Sequence, residues 1–262
     1  MIELSGKTIL VTGGSRGIGA AIVRAVAAAG ADVLLHYGKN RAAAEAVQGE
    51  IGVQRCRLIE TDLAHPDAAA KLWRQALAAA PRIDVLINNA GIFEPVPVDA
   101  ATEAWRNAWA RVMQVNLYAP AELCKLAIAH FRTPGDGRVE GGKMRGGKII
   151  NLASRAAHRG DAPDQWPYAA SKGALIAMTK TIARGFAQDN VLAFAIAPGF
   201  TETDMATDNL DDTGLKRILA EIPLGSMASP QECGALAAFL CSDHVRHLTG
   251  ATFDINGASY VR

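Results

Sequence analysis

Short apolar runs alternate with longer amphipathic stretches along almost the whole chain. The apolar runs are Lys7–Thr12, Asp32–His36, Gln54–Ile59, Asp84–Ile87, Lys148–Leu152, Val191–Ala197 and Ala251–Ile255. Most are continuous and carry Val or Ile, the pattern of strands buried on both faces. Between them, helix-like stretches cover Ala20–Ala29, Arg41–Ile51, Asp67–Ala79, Thr102–Phe131 and Pro230–Leu240, and another runs from before Tyr168 to about Gln188. Pro120 is expected to break the long Thr102–Phe131 helix. Strict alternation predicts a parallel sheet with helices on both faces. Right-handed crossovers make it doubly wound and Rossmann-like, in one domain spanning 1–262. The glycine-rich, basic stretch Arg132–Gly147 reads as a mobile loop. Thr201–Glu221, with Asp204, Asp208, Asp211 and Asp212, reads as a polar, mobile lid.

The first strand feeds directly into Gly13-Gly14-Ser15-Arg16-Gly17-Ile18-Gly19, and a helix follows. Strand, glycine turn and helix start make an anion site, because unpaired backbone N–H groups and the positive end of the helix dipole face the ligand. The spacing of Gly13, Gly17 and Gly19 differs from the commoner G-x-G-x-x-G fingerprint. No G-x-x-x-x-G-K-[ST] occurs, which excludes a Walker loop.

The second chemical feature is Tyr168 and Lys172, four residues apart on one predicted helix, with Ser154 upstream. A phenol has an ordinary pKa of about 10 and is a poor acid or base at neutral pH. A lysine one turn away is expected to stabilise the phenolate and lower that pKa. A serine hydroxyl then holds a carbonyl or alcohol oxygen beside the phenol. Ligands of doubly wound sheets bind beyond the carboxyl ends of the strands. Gly13, Asp62, Asn88-Asn89-Ala90-Gly91, Ser154 and Pro198-Gly199 all follow predicted strands.

These motifs, in this order, resemble the short-chain dehydrogenase/reductase superfamily over essentially the whole chain. Within it the chain is similar to 3-oxoacyl-[acyl-carrier-protein] reductases. The resemblance implies an oxidoreductase in which Tyr168 is the general acid or base. Lys172 lowers its pKa and holds the nicotinamide ribose, and Ser154 hydrogen-bonds the carbonyl oxygen. Asn116 is implied to kink its helix and hold a water linking Lys172 to solvent. A cofactor site is implied at Thr12, Gly13, Ser15, Arg16, Gly17, Ile18 and Gly19, and at Tyr37, Asn40, Asp62 and Leu63. It continues through Asn89, Ala90, Gly91, Tyr168, Lys172, Pro198, Gly199 and Thr201. The family is usually tetrameric, so a homotetramer is expected.

The choice of nicotinamide cofactor is read from the end of the second strand. An NAD enzyme usually places an acid there for the ribose 2′-OH. The segment here is His36-Tyr37-Gly38-Lys39-Asn40-Arg41, without an acid. NADP(H) is therefore favoured over NAD(H), with Arg16 as the 2′-phosphate ligand and Asn40 or Arg41 assisting; Lys39 and Arg41 as solvated helix-start charges is the other reading. An NAD-dependent sugar, polyol or hydroxy-acid dehydrogenase is the same-class alternative, and a cofactor-binding sensor without turnover is the alternative of another class.

Composition narrows the partners. The chain has 262 residues, half of them hydrophobic, and a net charge of +1. That balance argues against a nucleic-acid partner. No stretch of 18 apolar residues predicts a membrane span. The scattered Cys56, Cys124, Cys233 and Cys241 read as buried thiols of a reduced, cytoplasmic protein, and His244 and His247 as surface residues rather than a metal site. Phe93, Arg155, Trp166, Phe200 and Met205 flank the motifs as candidate pocket residues. In the resembling reductases, arginines dock an acidic acyl carrier protein. Arg145 matches one such place, with Arg138 and Lys143 nearby, but Asp189 stands at the other. A small carbonyl or alcohol substrate is accordingly favoured over a carrier-bound chain.

Overall fold

The computed structural model describes residues 2–133, 146–203 and 211–261. Seven parallel strands form one sheet in the order β3-β2-β1-β4-β5-β6-β7. They are β1 Thr8–Val11, β2 Asp32–Tyr37, β3 Cys56–Glu60, β4 Val85–Asn88, β5 Gly147–Leu152, β6 Val191–Pro198 and β7 Thr252–Ile255. The strand order reverses between β1 and β4, which opens a crevice at their carboxyl ends.

Consecutive strand residues enter two different cores, because side chains alternate across a sheet. Ile9, Val11, Val85, Ile87, Ile150 and Leu152 join the core shared with helices α1 (Gly17–Ala28) and α9 (Pro230–Cys241). Leu10, Leu86 and Ile149 join the opposite core with α3 (Ala68–Ala79) and α5 (Ala119–Arg132). Burial on both faces explains why the strands read as unbroken apolar runs. The remaining α-helices are α2 Arg41–Ile51, α4 Thr102–Met113, α6 Ala156–Arg159, α7 Trp166–Phe186 and α8 Asp212–Ala220.

Two expectations are refined by the structure. The long helix is interrupted by a π-helical segment at Gln114–Tyr118, just before Pro120, which stands in the first turn of α5. The segment Thr201–Glu221 contains α8: Asp211 caps it by accepting from Gly214 N at 2.7 Å, and Ile218 buries its inner face. Arg138, Lys143, Arg145, Asp204, Met205 and Asp208 lie outside the described residues.

One buried cation locks the sheet to α9. Lys148, at the start of β5, donates to the carbonyls of Cys241 and Ser242, both at 2.8 Å, and to Asp243 Oδ1 at 3.1 Å. It thereby satisfies carbonyls left open at the helix end. Lys148→Met keeps the stem and removes the donors. It should destabilise the fold by roughly 2–3 kcal/mol, since each buried acceptor left unpaired costs about 1–3 kcal/mol. Chemical denaturation of both proteins measures it.

Candidate active site

The glycine turn after β1 is held from three sides. Thr12 Oγ1 accepts from the backbone N–H groups of Asn89 and Ala90, both at 3.0 Å. In return Asn89 Nδ2 donates to the Thr12 and Gly13 carbonyls at 2.9 and 3.0 Å. Gly13 adopts φ +65° and Gly17 φ +52°, conformations that a side chain would strain. At the start of α1, Arg16 contributes no side-chain cap, and Ala20 N is the first amide to bond back, to Arg16 O at 3.1 Å. The amides of Gly17, Ile18 and Gly19 therefore present unpaired donors, with Ser15 at the rim. This bare helix start fits a diphosphate. Thr203 lies close to Gly17, so the segment after Thr201 reaches the same turn.

The third support is His36, a role with little signal in the sequence. Its Nδ1 accepts from Gly13 N at 3.1 Å, its Nε2 contacts Thr61 O at 2.8 Å, and its carbonyl accepts from Gly14 N at 2.8 Å. These partners require a neutral ring protonated on Nε2. Burial pushes its pKa down to about 4. The only sequence signal is a polar residue ending an apolar run. An unfolded histidine takes up its proton near 6.5 but the folded one only near 4, so stability is lost as pH falls through that window. The full loss amounts to roughly 3 kcal/mol. His36→Asn should start less stable at pH 7.5 and show a flatter decline to pH 4.5 in denaturant midpoints; equal slopes would remove the assignment.

The catalytic candidates converge at the carboxyl ends of β4 and β5. Ser154 follows β5 and accepts from Ala156 N at 3.1 Å, and its hydroxyl stands close enough to the Tyr168 phenol to favour the phenolate. Lys172 is buried, donates to Leu152 O at 2.7 Å, and lies 5.7 Å from the centre of the Tyr168 ring. Burial pushes its pKa down to about 8. The expected lowering of the tyrosine by Lys172 does not appear. Burial pushes the Tyr168 phenol up, against a smaller opposing effect of the Ser154 hydroxyl.

Asn116 is fully buried inside the π-helical segment. Its Oδ1 accepts from Ile92 N at 2.8 Å, while Nδ2 donates to Ile92 O at 2.9 Å and to Ser171 Oγ at 3.2 Å. Both amide protons are used, leaving one lone pair of Oδ1 open. A Cβ added at Gly91 would stand 3.4 Å from both Asn116 Oδ1 and Lys172 Nζ, so these groups border one small space. A further polar ladder has no local signature in the sequence: Asn88 donates to Asn151 at 2.9 Å, and Asn151 to Thr179 at 2.8 Å. It ties β4 and β5 to α7 and sets the height of Tyr168 and Lys172.

Other candidates divide. Pro198 ends β6 and Gly199 follows it, held by a bond from Gly199 N to Ile255 O at 2.8 Å. Leu63 is buried, and Asp62 accepts from Ala64 N at 3.0 Å, which holds its carboxyl below the usual range. Phe93 packs edge-on to Tyr168 at 5.2 Å, whereas Trp166 packs on Trp105 of α4. The Tyr37 phenol is buried and donates to Glu60 at 2.8 Å, so it does not face the crevice as a donor. Asn40 caps α2 through Ala43 N, Arg41 pairs with Glu45 at 2.8 Å, and Lys39 stands 3.5 Å from Asp62. The basic residues after β2 thus each have an acidic neighbour at the surface. Exposed Arg16 has no ion-pair partner among the described residues.

The sheet order agrees with the comparisons. A family model described as enoyl-(acyl carrier protein) reductase matches residues 13–258. The chain belongs to the short-chain dehydrogenase/reductase family. It is 35% identical over 261 residues to a 3-oxoacyl-[acyl-carrier-protein] reductase of Synechocystis, covering 98% of each chain. It is also 35% identical to nodulation protein G of Rhizobium sp. (strain N33), again covering 98% of each. A solved short-chain dehydrogenase/reductase from Brucella melitensis, described as a glucose/ribitol dehydrogenase, superposes with a TM-score of 0.86 at 30% identity. That match covers 100% of this chain and 99% of the other. A blue fluorescent protein from a metagenomic library, solved with NADPH, gives 0.86 at 33% identity over 99% and 100% of the two chains. As a family member this short-chain dehydrogenase/reductase is an NAD(P)(H)-dependent oxidoreductase. No helix among the described residues is long and apolar enough to cross a membrane.

Proposed function

We propose that this short-chain dehydrogenase/reductase, one domain over 1–262, reduces a small carbonyl compound with NADP(H). The observation that carries the reading is buried Lys172, 5.7 Å from the centre of the Tyr168 ring, with Ser154 following β5, at the crevice opened by the glycine turn. A bound nicotinamide cofactor supplies the hydride. Thr12, Gly13, Ser15, Gly17, Ile18, Gly19, Asn89, Ala90 and Gly91 would hold it, together with Asp62, Leu63, Pro198, Gly199 and Thr201. The Ser154 hydroxyl holds the substrate oxygen as negative charge develops on it. The Tyr168 hydroxyl gives that oxygen its proton. Because burial pushes the phenol up, it stays protonated at neutral pH, the state that reduction needs. Alcohol oxidation needs the phenolate and is the alkaline direction. Lys172 replenishes the proton, and the open lone pair of Asn116 suits a water relay next to it.

The cofactor preference rests on Arg16, since Lys39 and Arg41 already face acids. Arg16→Ala should weaken NADPH binding roughly ten- to a hundredfold while changing NADH binding little, because a charge-assisted bond to a phosphate is worth about 1.5–3 kcal/mol. Fluorescence titration of both cofactors decides it, and equal affinity of the wild type for the two would refute NADP(H). The function itself is tested by cofactor oxidation with a panel of ketones, and complete inactivity with tight cofactor binding would favour a sensor.

A free substrate is preferred to a carrier-bound chain, although Asp189 is a weaker argument than its position implies. It pairs with Arg132 at 2.9 Å, which offsets its charge. A salt-sensitive preference for acetoacetyl-carrier protein would reverse this choice. A homotetramer is proposed through α4, α5 and α7, a region where Tyr118 and Trp166 expose apolar surface.

A further inference from the structure

The residue after Ser154 carries a charge that the reduction just described does not use. Arg155 is only 5% exposed. Its backbone N–H donates to Pro198 O at 2.8 Å, which pins it between the ends of β5 and β6. Its guanidinium carbon lies 4.6 Å from the centre of the Phe200 ring, so Phe200 walls the cation with an aromatic face. Its Nη1 is buried without a hydrogen-bond partner. Its Nη2 lies 3.7 Å from Glu221 Oε2, too far for a hydrogen bond, and that same oxygen takes a 2.9 Å bond from Arg159. Two guanidiniums thus share one carboxylate. Asp161 is occupied elsewhere: it accepts from Ala162 N and, with the amide suitably oriented, from Gln165, each at 3.0 Å.

A guanidinium cannot escape burial by losing its proton. Left under-paired it is strongly unfavourable, unless something that visits the site completes it. A carboxylate matches its planar fork, and a partly apolar wall strengthens the pairing. Arg155 directly follows Ser154, and Phe200, which walls its guanidinium, directly follows Pro198-Gly199, so the charge lies by the carboxyl ends of β5 and β6, where ligands of such sheets bind.

We propose that Arg155 is a specificity residue that receives a substrate carboxylate, so that the compounds reduced at Ser154 and Tyr168 are short keto acids. The proposal rests on the carbonyl-reductase reading of that cluster. A site built around a charged partner rejects the analogue that lacks it, because its own buried group is then left unpaired.

The test compares acids with their neutral amides. Acetoacetate and 4-oxopentanoate are assayed against acetoacetamide and 4-oxopentanamide, at saturating cofactor, with wild type, Arg155→Lys and Arg155→Met. Wild type should prefer each acid by roughly ten- to a hundredfold in kcat/KM, mostly through KM. Arg155→Met should bring the acid-to-amide ratio close to one, and Arg155→Lys, which keeps the charge, should retain part of the preference. Calorimetric binding of 4-oxopentanoate to the Tyr168→Phe protein with its cofactor reads the same contact without turnover. Reduction of the amides as readily as the acids would overturn the keto-acid proposal and leave the reductase reading intact. The keto-acid proposal also falls, alone, if Arg155→Met lowers acid and amide equally. Neither turnover nor calorimetric binding of any of the four compounds would overturn both.

Discussion

Tyr168→Phe should lose roughly 10²–10⁴ in kcat while cofactor affinity stays within a few-fold of wild type. The substitution removes one hydroxyl and leaves the ring, so the edge-on packing against Phe93 at 5.2 Å persists. The backbone tie from Ser171 Oγ to the Tyr168 carbonyl at 2.7 Å is also untouched. What disappears is the proton donor beside Ser154. Because burial raises the phenol, wild-type reduction should hold steady through neutral pH and decline only on the alkaline side, where the phenol ionises. The variant has no such group, so its residual rate should lack the phenol's share of that decline and keep only the share of Lys172. Steady-state kinetics across pH, paired with fluorescence titration of cofactor, separate chemistry from binding. Near wild-type turnover in the variant would remove Tyr168 from the chemistry.

The fold is legible in the sequence because its strands are buried on both faces, so each appears as an apolar run that no helix period explains. The glycine turn and the Tyr168/Lys172 spacing are legible because they are local: a few consecutive residues carry the whole geometry. Supports that cross the sheet are not. His36 meets Gly13 from 23 residues away, and Asn151 meets Asn88 and Thr179 from neighbouring elements. Nothing in their local spacing marks them as polar ties rather than ordinary strand residues. Lys39 and Arg41 are the reverse case: their charges are visible in the sequence, but their acidic neighbours Asp62 and Glu45 are seen only in the structure. The direction of the Tyr168 shift is equally hidden, because burial is a property of the assembled site.

Gly19→Ala should abolish measurable cofactor binding and lower the melting temperature. A Cβ at this position would land well inside contact distance of the Gly13 carbonyl oxygen and 2.5 Å from Asn89 Nδ2. Neither neighbour can yield cheaply. The Gly13 carbonyl is backbone, and it already accepts from Asn89, whose Nδ2 also bonds Thr12 O. Overpacking costs typically about 1–3 kcal/mol when flexible side chains give way, and backbone in the path puts this site at the upper end. Relief requires the start of α1 to move away from β1, which carries the unpaired amides of Gly17, Ile18 and Gly19 out of position together. Gly185→Ala is the matched control, since its added Cβ meets nothing within 4 Å and replaces a helix glycine. That variant should gain about 0.5–1 kcal/mol from the unfolded chain's reduced freedom. Thermal melts and NADPH titrations of the two variants side by side test the close approach itself. Retained NADPH affinity in Gly19→Ala would mean that the turn can open without losing its anion site, and the cradle would then need a different construction.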